Sequence, residues 1–171
     1  NDIGIVSLDG NWDPLLVTSA VEAGPSISPD GNWIAYHSNQ TGRSEVYVER
    51  FPNLGERVQV STGGGRVPLW APDGTELYYR SPSDNEAVMA VPIDLQPTFT
   101  PGTPTLLFTG NYRGGPTGGS PNTRHYDISP HGDRFLMIKL DALAQEEVDV
   151  LPPITVILNW FEELTERVPF S

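Results

Sequence analysis

SPDGNWIAYHSNQTGRSEVYV, residues 28–48, decides the fold. Its opening four residues write a tight turn, in which proline presets the first dihedral and glycine accepts the positive φ that follows. The same turn returns as APDGTELYYRSP from Ala71 and as SPHGDRFLMIKL from Ser129, with His131 replacing the aspartate. Counting on from each glycine, the third residue is Ile34, Leu77 or Phe135. The fourth is Ala35, Tyr78 or Leu136, and the fifth is Tyr36, Tyr79 or Met137. A short run apolar on both faces predicts a strand sandwiched between two sheets. Ile27, Trp70 and Ile128 end a shorter strand ahead of each turn, so the unit is strand, turn, strand.

A third strand recurs downstream. EVYVERFP (45–52) aligns with AVMAVPID (87–94), and DIGIVSLD (2–9) aligns with both. A fourth follows each, as LLVT near Leu15, RVQVS near Arg57 and TLLFT near Thr105. Four antiparallel strands per repeat, with 43 residues from Pro29 to Pro72, is the pattern of a β-propeller blade. From Pro72 to Pro130 the interval is 58, and the excess falls mostly in GNYRGGPTGGSPN, an inserted loop. The expected fold is all-β: a segment of four-stranded antiparallel blades ending in a short helix. It is organised as one domain, residues 1–171, with two strands of an incomplete blade in 1–20 and full blades in 24–62 and 66–109. The Gly-rich insertion occupies 110–123, three strands of a last blade 124–160, and the terminal helix 160–168.

Bulk composition agrees with many short strands. Hydrophobic residues make up 37% and charged residues 19% of the 171, while Gly and Pro number 17 each, which is too much punctuation for long helices. The net charge of -12 disfavours nucleic acid and an anionic membrane surface as partners. There is no cysteine, so disulfides, thiolate catalysis and cysteine metal sites are excluded. No apolar run reaches the roughly 18 residues that would predict a membrane-spanning helix.

The residues of SPDGNWIAYHSNQTGRSEVYV resemble the TolB-like, WD-type propeller repeat of bacteria, and the resemblance covers nearly the whole chain. ITVILNWFEELTERVP (154–169) is similar to the end of propellers linked to bacterial serine/threonine kinases or transcription regulators. The resemblance implies a six-bladed ring that binds partners or senses ligands, and favours an extracytoplasmic or periplasmic location. Related propellers also precede prolyl-oligopeptidase-type hydrolases. A six-bladed ring needs about 260 residues, so about three blades, half a ring, are present. Open end blades expose apolar faces. The expectation is a fragment of a longer chain, or a homodimer whose halves close the ring.

Propeller topology puts the Pro-Asp-Gly turns on one face, where Asp30 and Asp73 are expected to bond their own turn backbones and His131 to be an exposed turn residue. The other face gathers SNQTGRS (38–44), TGGGR (62–66) and the insertion. It carries Arg43, Arg66, Arg113 and Arg124, a set suited to a carboxylate or phosphate, with Tyr112 and His125 to stack or hydrogen-bond. The bland alternative is solvated loop arginines paired with acidic neighbours. The Gly-rich insertion lacks a P-loop lysine and does not open a helix after a strand, so its match to a phosphate cradle is weak and a flexible lid or partner-contact loop is the expectation. His37 is expected to be a satisfied structural histidine, and DALAQEEVD (141–149) a solvated spacer. Without a G-x-S-x-G elbow, an H-E-x-x-H helix or histidine ligand spacing, the expected function is non-enzymatic. It is a binding, sensing or protein-interaction module that takes a protein or small anionic ligand and uses no cofactor or metal. The alternatives are a substrate-gating propeller of a prolyl-oligopeptidase-like hydrolase and a purely structural assembly domain.

Overall fold

A computed structural model of the chain describes residues 2–82, 87–95, 98–113 and 122–139. The heart of the Gly-rich insertion, DALAQEEVD, and the expected third strand of the last blade and terminal helix lie outside the described residues. Among the described residues, thirteen strands form four antiparallel sheets. β1 (Ile3–Val6) pairs with β2 (Trp12–Leu16). β3 (Glu22–Ile27), β4 (Trp33–Ser38), β5 (Glu45–Arg50) and β6 (Val58–Gln59) make a four-stranded meander in chain order. β7 (Arg66–Trp70), β8 (Glu76–Ser81) and β9 (Ala87–Asp94) begin a second meander. Its outer edge is shared by β10 (Thr100–Pro101) and β11 (Thr105–Phe108), which both pair with β9. β12 (Tyr126–Ile128) and β13 (Phe135–Met137) form the last sheet.

The splitting of the fourth strand into β10 and β11 has a local cause. Gly102 N–H donates to Pro92 O at 2.8 Å, and a Cβ at position 102 would come within 3.3 Å of that oxygen. Pro101 and Pro104 cannot donate to the ladder. The chain therefore leaves β9 after Pro101 and rejoins it at Thr105, opposite Ala90.

The three turns are built alike. Gly31, Gly74 and Gly132 have φ of 74°, 75° and 73°. Each donates its N–H at 2.9 Å to the carbonyl three residues back, on Ser28, Ala71 or Ser129. Successive turns also touch. A Cβ at Gly74 would lie 3.8 Å from Pro29 Cδ, and one at Gly132 would lie 3.7 Å from Pro72 Cδ. The proline of one turn thus leans on the glycine of the next, and the turns climb from blade to blade.

Strand alternation sorts the core into layers. Trp33, Ala35, Val46, Val48 and Val60 of the first meander meet Trp70, Leu77, Tyr79, Val91 and Phe99 of the second. The opposite face of β4, Ile34 and Tyr36, packs with Tyr47 against Ile3 and Leu16. On the far side of β7 and β8, Tyr78 and Leu69 reach toward Ile128, Phe135 and Tyr126. Every residue of β4 is buried, as its sequence predicts. The third copy differs: in β13 only Phe135 and Met137 face the core, and Leu136 is 74% exposed. Val6 and Trp12, cross-strand partners on the first sheet, are also exposed, as is Ile138.

Candidate functional site

The two kinds of loop do different work. On the turn face, Asp30 Oδ1 accepts the Asn32 N–H at 3.1 Å and the Ser28 hydroxyl at 2.5 Å. Asp73 Oδ1 accepts the N–H and hydroxyl of Thr75 at 3.0 and 2.8 Å. Both carboxyls are held below the usual range, Asp30 chiefly by Ser28 and Asp73 chiefly by the Thr75 backbone. These aspartates close their turns. His131 is exposed, and Asp133 takes up the Ser129 hydroxyl at 2.6 Å in its turn.

On the opposite face the β6–β7 connection is held by Glu45. Its carboxylate, 2% exposed as a residue, accepts the N–H groups of Gly63 and Gly64 at 3.2 and 3.0 Å, together with the Ser61 hydroxyl. Arg43 binds the same carboxylate at 2.9 Å while its side chain stays 61% exposed. Its charge is engaged by Glu45, as the bland reading of the loop arginines has it.

His37 is the hub of the inner strands. It is 1% exposed. Val67 N–H donates to its Nδ1 at 3.2 Å, and its Nε2 lies 3.1 Å from Asn122 Oδ1. The proton therefore sits on Nε2, and the ring is neutral. Burial, with Arg66 nearby, holds its pKa below the ordinary histidine value, against the Asn122 bond. Val67 has the positive φ of 47°, unusual for a β-branched residue. Both its backbone groups are gripped from other elements, because its carbonyl accepts the buried Tyr126 hydroxyl at 2.7 Å. Burial pushes the Tyr126 hydroxyl well above its usual pKa, with Arg124 and Arg80 opposing.

Around this hub the structure assembles part of the expected arginine set. Arg66 is the direct cross-strand partner of Arg80, so the two share a face. Arg80 Nη1 reaches the Arg113 carbonyl at 3.4 Å, and Arg113 N–H donates to Ile138 O at 2.8 Å. Arg113 and Arg124 are exposed. Among the described residues, the buried atoms Arg66 Nε and His125 Nε2 have no hydrogen-bond partner. Tyr112 is half-buried, bridged to Lys139 and edge-on to Phe108 at 6.1 Å, so it braces the end of the sheet.

Sequence reasoning passed over Arg80, Asn122, Tyr126 and Glu22. Arg80 carried a signal, since it stands six residues after its glycine, as His37 does. A polar residue ending a fully buried strand demands a partner. Glu22, 1% exposed, accepts the Thr18 and Ser38 hydroxyls at 2.6 and 3.2 Å through Oε1, and its Oε2 has no partner among the described residues. Among the described residues no group of three or more His, Asp or Glu is placed to hold a metal ion.

The sequence matches no protein-family model and no curated protein. Among solved structures, the crystal structure of TolB from Acinetobacter baumannii superimposes with a TM-score of 0.61 at 16% identity. The match covers 82% of this chain and 32% of that one. The fold is therefore that of a TolB-like β-propeller, and the chain spans about a third of the length of the TolB chain it matches.

Proposed function

We propose that this propeller segment is a non-enzymatic protein-interaction module whose inner rim receives an anionic group, a carboxylate or phosphate of its partner. The observation that carries this reading is that Arg66 Nε and His125 Nε2 are both buried and, among the described residues, without a hydrogen-bond partner, with the exposed Arg124 next to His125 in the chain. Buried polar atoms normally have partners, and an anion's oxygens would satisfy these. The chain's net charge of -12 makes a cationic rim a local exception.

Titration calorimetry with citrate, inorganic phosphate and a glutamate-rich peptide tests it. Binding should fall about tenfold or more in the Arg66→Gln/Arg124→Gln double variant. Absence of binding by all three, or equal binding by the variant, overturns the reading.

The exposed apolar faces, Val6 with Trp12 at one end and Leu136 with Ile138 at the other, support completion of the ring by a second copy of the chain. Light scattering should give twice the chain mass, and a monomer would refute that completion. The similarity of residues 154–169 to kinase- and regulator-linked propellers supports placing the module in a sensor protein.

A further inference from the structure

A cavity of about 520 Å³ opens beside the inner strands, lined by Asp2, Gly4, Trp12, Glu22 and Asn122 among others. We infer that this cavity is a binding site for an organic cation, the guanidinium or ammonium of an arginine, a lysine or a free polyamine. Three observations converge on that chemistry. First, among the described residues the ionisable side chains in the lining, Asp2 and Glu22, are carboxylates, with no lysine or arginine beside them. Second, Glu22 is 1% exposed and satisfied on one side only. Oε1 takes two hydroxyls, while Oε2 has no partner among the described residues. A half-satisfied buried carboxylate costs free energy that a charged donor recovers. Third, Trp12 lies across Gly4 so closely that a Cβ there would meet the indole. Trp12 is nevertheless 55% exposed as a residue, which leaves aromatic surface for a cation.

Gly4 has a specific part in this arrangement. Only a residue without a side chain lets the indole settle over the β1–β2 ladder and become a wall of the cavity. Gly24, on the same wall, has a φ of 63°, and a Cβ there would come 3.0 Å from His37 Nδ1. The cavity and the histidine hub thus share a wall, but the cation site does not depend on the arginine rim. Either can fail without the other.

The test is calorimetric titration of the full 171-residue chain with N-acetyl-arginine methylamide, N-acetyl-lysine methylamide and spermidine. N-acetyl-citrulline methylamide serves as the neutral isostere. Arginine or lysine should bind at least about tenfold more tightly than citrulline. Glu22→Gln should weaken that binding about tenfold, and Trp12→Leu about threefold. Asp2→Asn and Trp12→Leu alter exposed positions and keep the question answerable if Glu22→Gln does not fold. Spermidine binding tenfold tighter than the amino-acid amides identifies a free polyamine as the source of the cation, and comparable binding identifies a peptide side chain. Failure of every organic cation to bind overturns the inference. So does equal binding of citrulline, affinity unchanged in all folded variants, or competition by calcium alone.

Discussion

Replacing His37 by phenylalanine separates the hydrogen-bonding role of this histidine from its bulk. A phenyl ring fills about the same space against Gly24, so little cavity energy is introduced. What is lost is the acceptor for the Val67 N–H, held at 3.2 Å, and the donor to Asn122 at 3.1 Å. A buried N–H left without a partner costs about 1–3 kcal/mol, and that is the destabilisation expected in urea unfolding at pH 8. The pH dependence supplies an independent check. Burial, aided by Arg66, keeps the folded-state pKa of His37 below the ordinary value of 6.5. Between those two values the unfolded chain binds more protons than the folded one, so stability falls as pH falls. This contribution is intact above the unfolded pKa and is lost on acidification through the folded pKa. The variant has no such contribution, so the stability gap between wild type and His37→Phe should narrow from pH 8 to pH 5. Equal stabilities at pH 8, or a gap that widens with acid, would refute the reasoning.

Three further substitutions probe the same frame. Tyr126→Phe removes the donor to Val67 O at 2.7 Å and should cost about 1–3 kcal/mol. Because both changes release Val67, its effect should not add to that of His37→Phe, and a double-mutant cycle in urea measures a coupling of about 0.5 kcal/mol or more. Glu45→Gln places an amide opposite the N–H groups of Gly63 and Gly64, and thermal unfolding should report a loss of about 3 kcal/mol. Gly74→Ala meets only ordinary contact from Pro29, at 3.8 Å, but must adopt a φ of 75°. The cost, again read from thermal unfolding, should be about 1–2 kcal/mol from backbone strain alone.

The parts of this fold that could be read from the chain are those written locally. Proline and glycine at fixed places in a turn, followed by residues apolar on both faces, locate β4 and β8 and the turns before them. Asp30 and Asp73 reach no farther than two residues to bond their turns. The hub was not legible, because its partners are remote. Asn122 lies 85 residues from His37, and Val67 lies 30 away. The burial of Glu22 was hidden for a similar reason, since VEAG (21–24) looks like solvated chain until β4 and the first sheet close over it. Within the arginine set, sequence proximity misled at Arg43, whose neighbour two positions on, Glu45, already binds it. Propeller topology groups Arg66, Arg113 and Arg124 on one expected rim and leaves out Arg80, the cross-strand partner of Arg66. The split of the outer strand was likewise concealed, because TPGTPTLLFT (100–109) shows its prolines but not the grip of Gly102 on Pro92.

The central claim is that the inner rim, and not the repeated turn, is the recognition surface. Amide chemical-shift mapping of the isotopically labelled chain during titration with the glutamate-rich peptide tests it most directly. The account predicts saturable shifts at Arg66, Val67, Arg113, Arg124 and His125, with the glycines of the three turns unmoved. Shifts centred on Asp30, Asp73 and His131, or no shifts at saturating peptide, would contradict it.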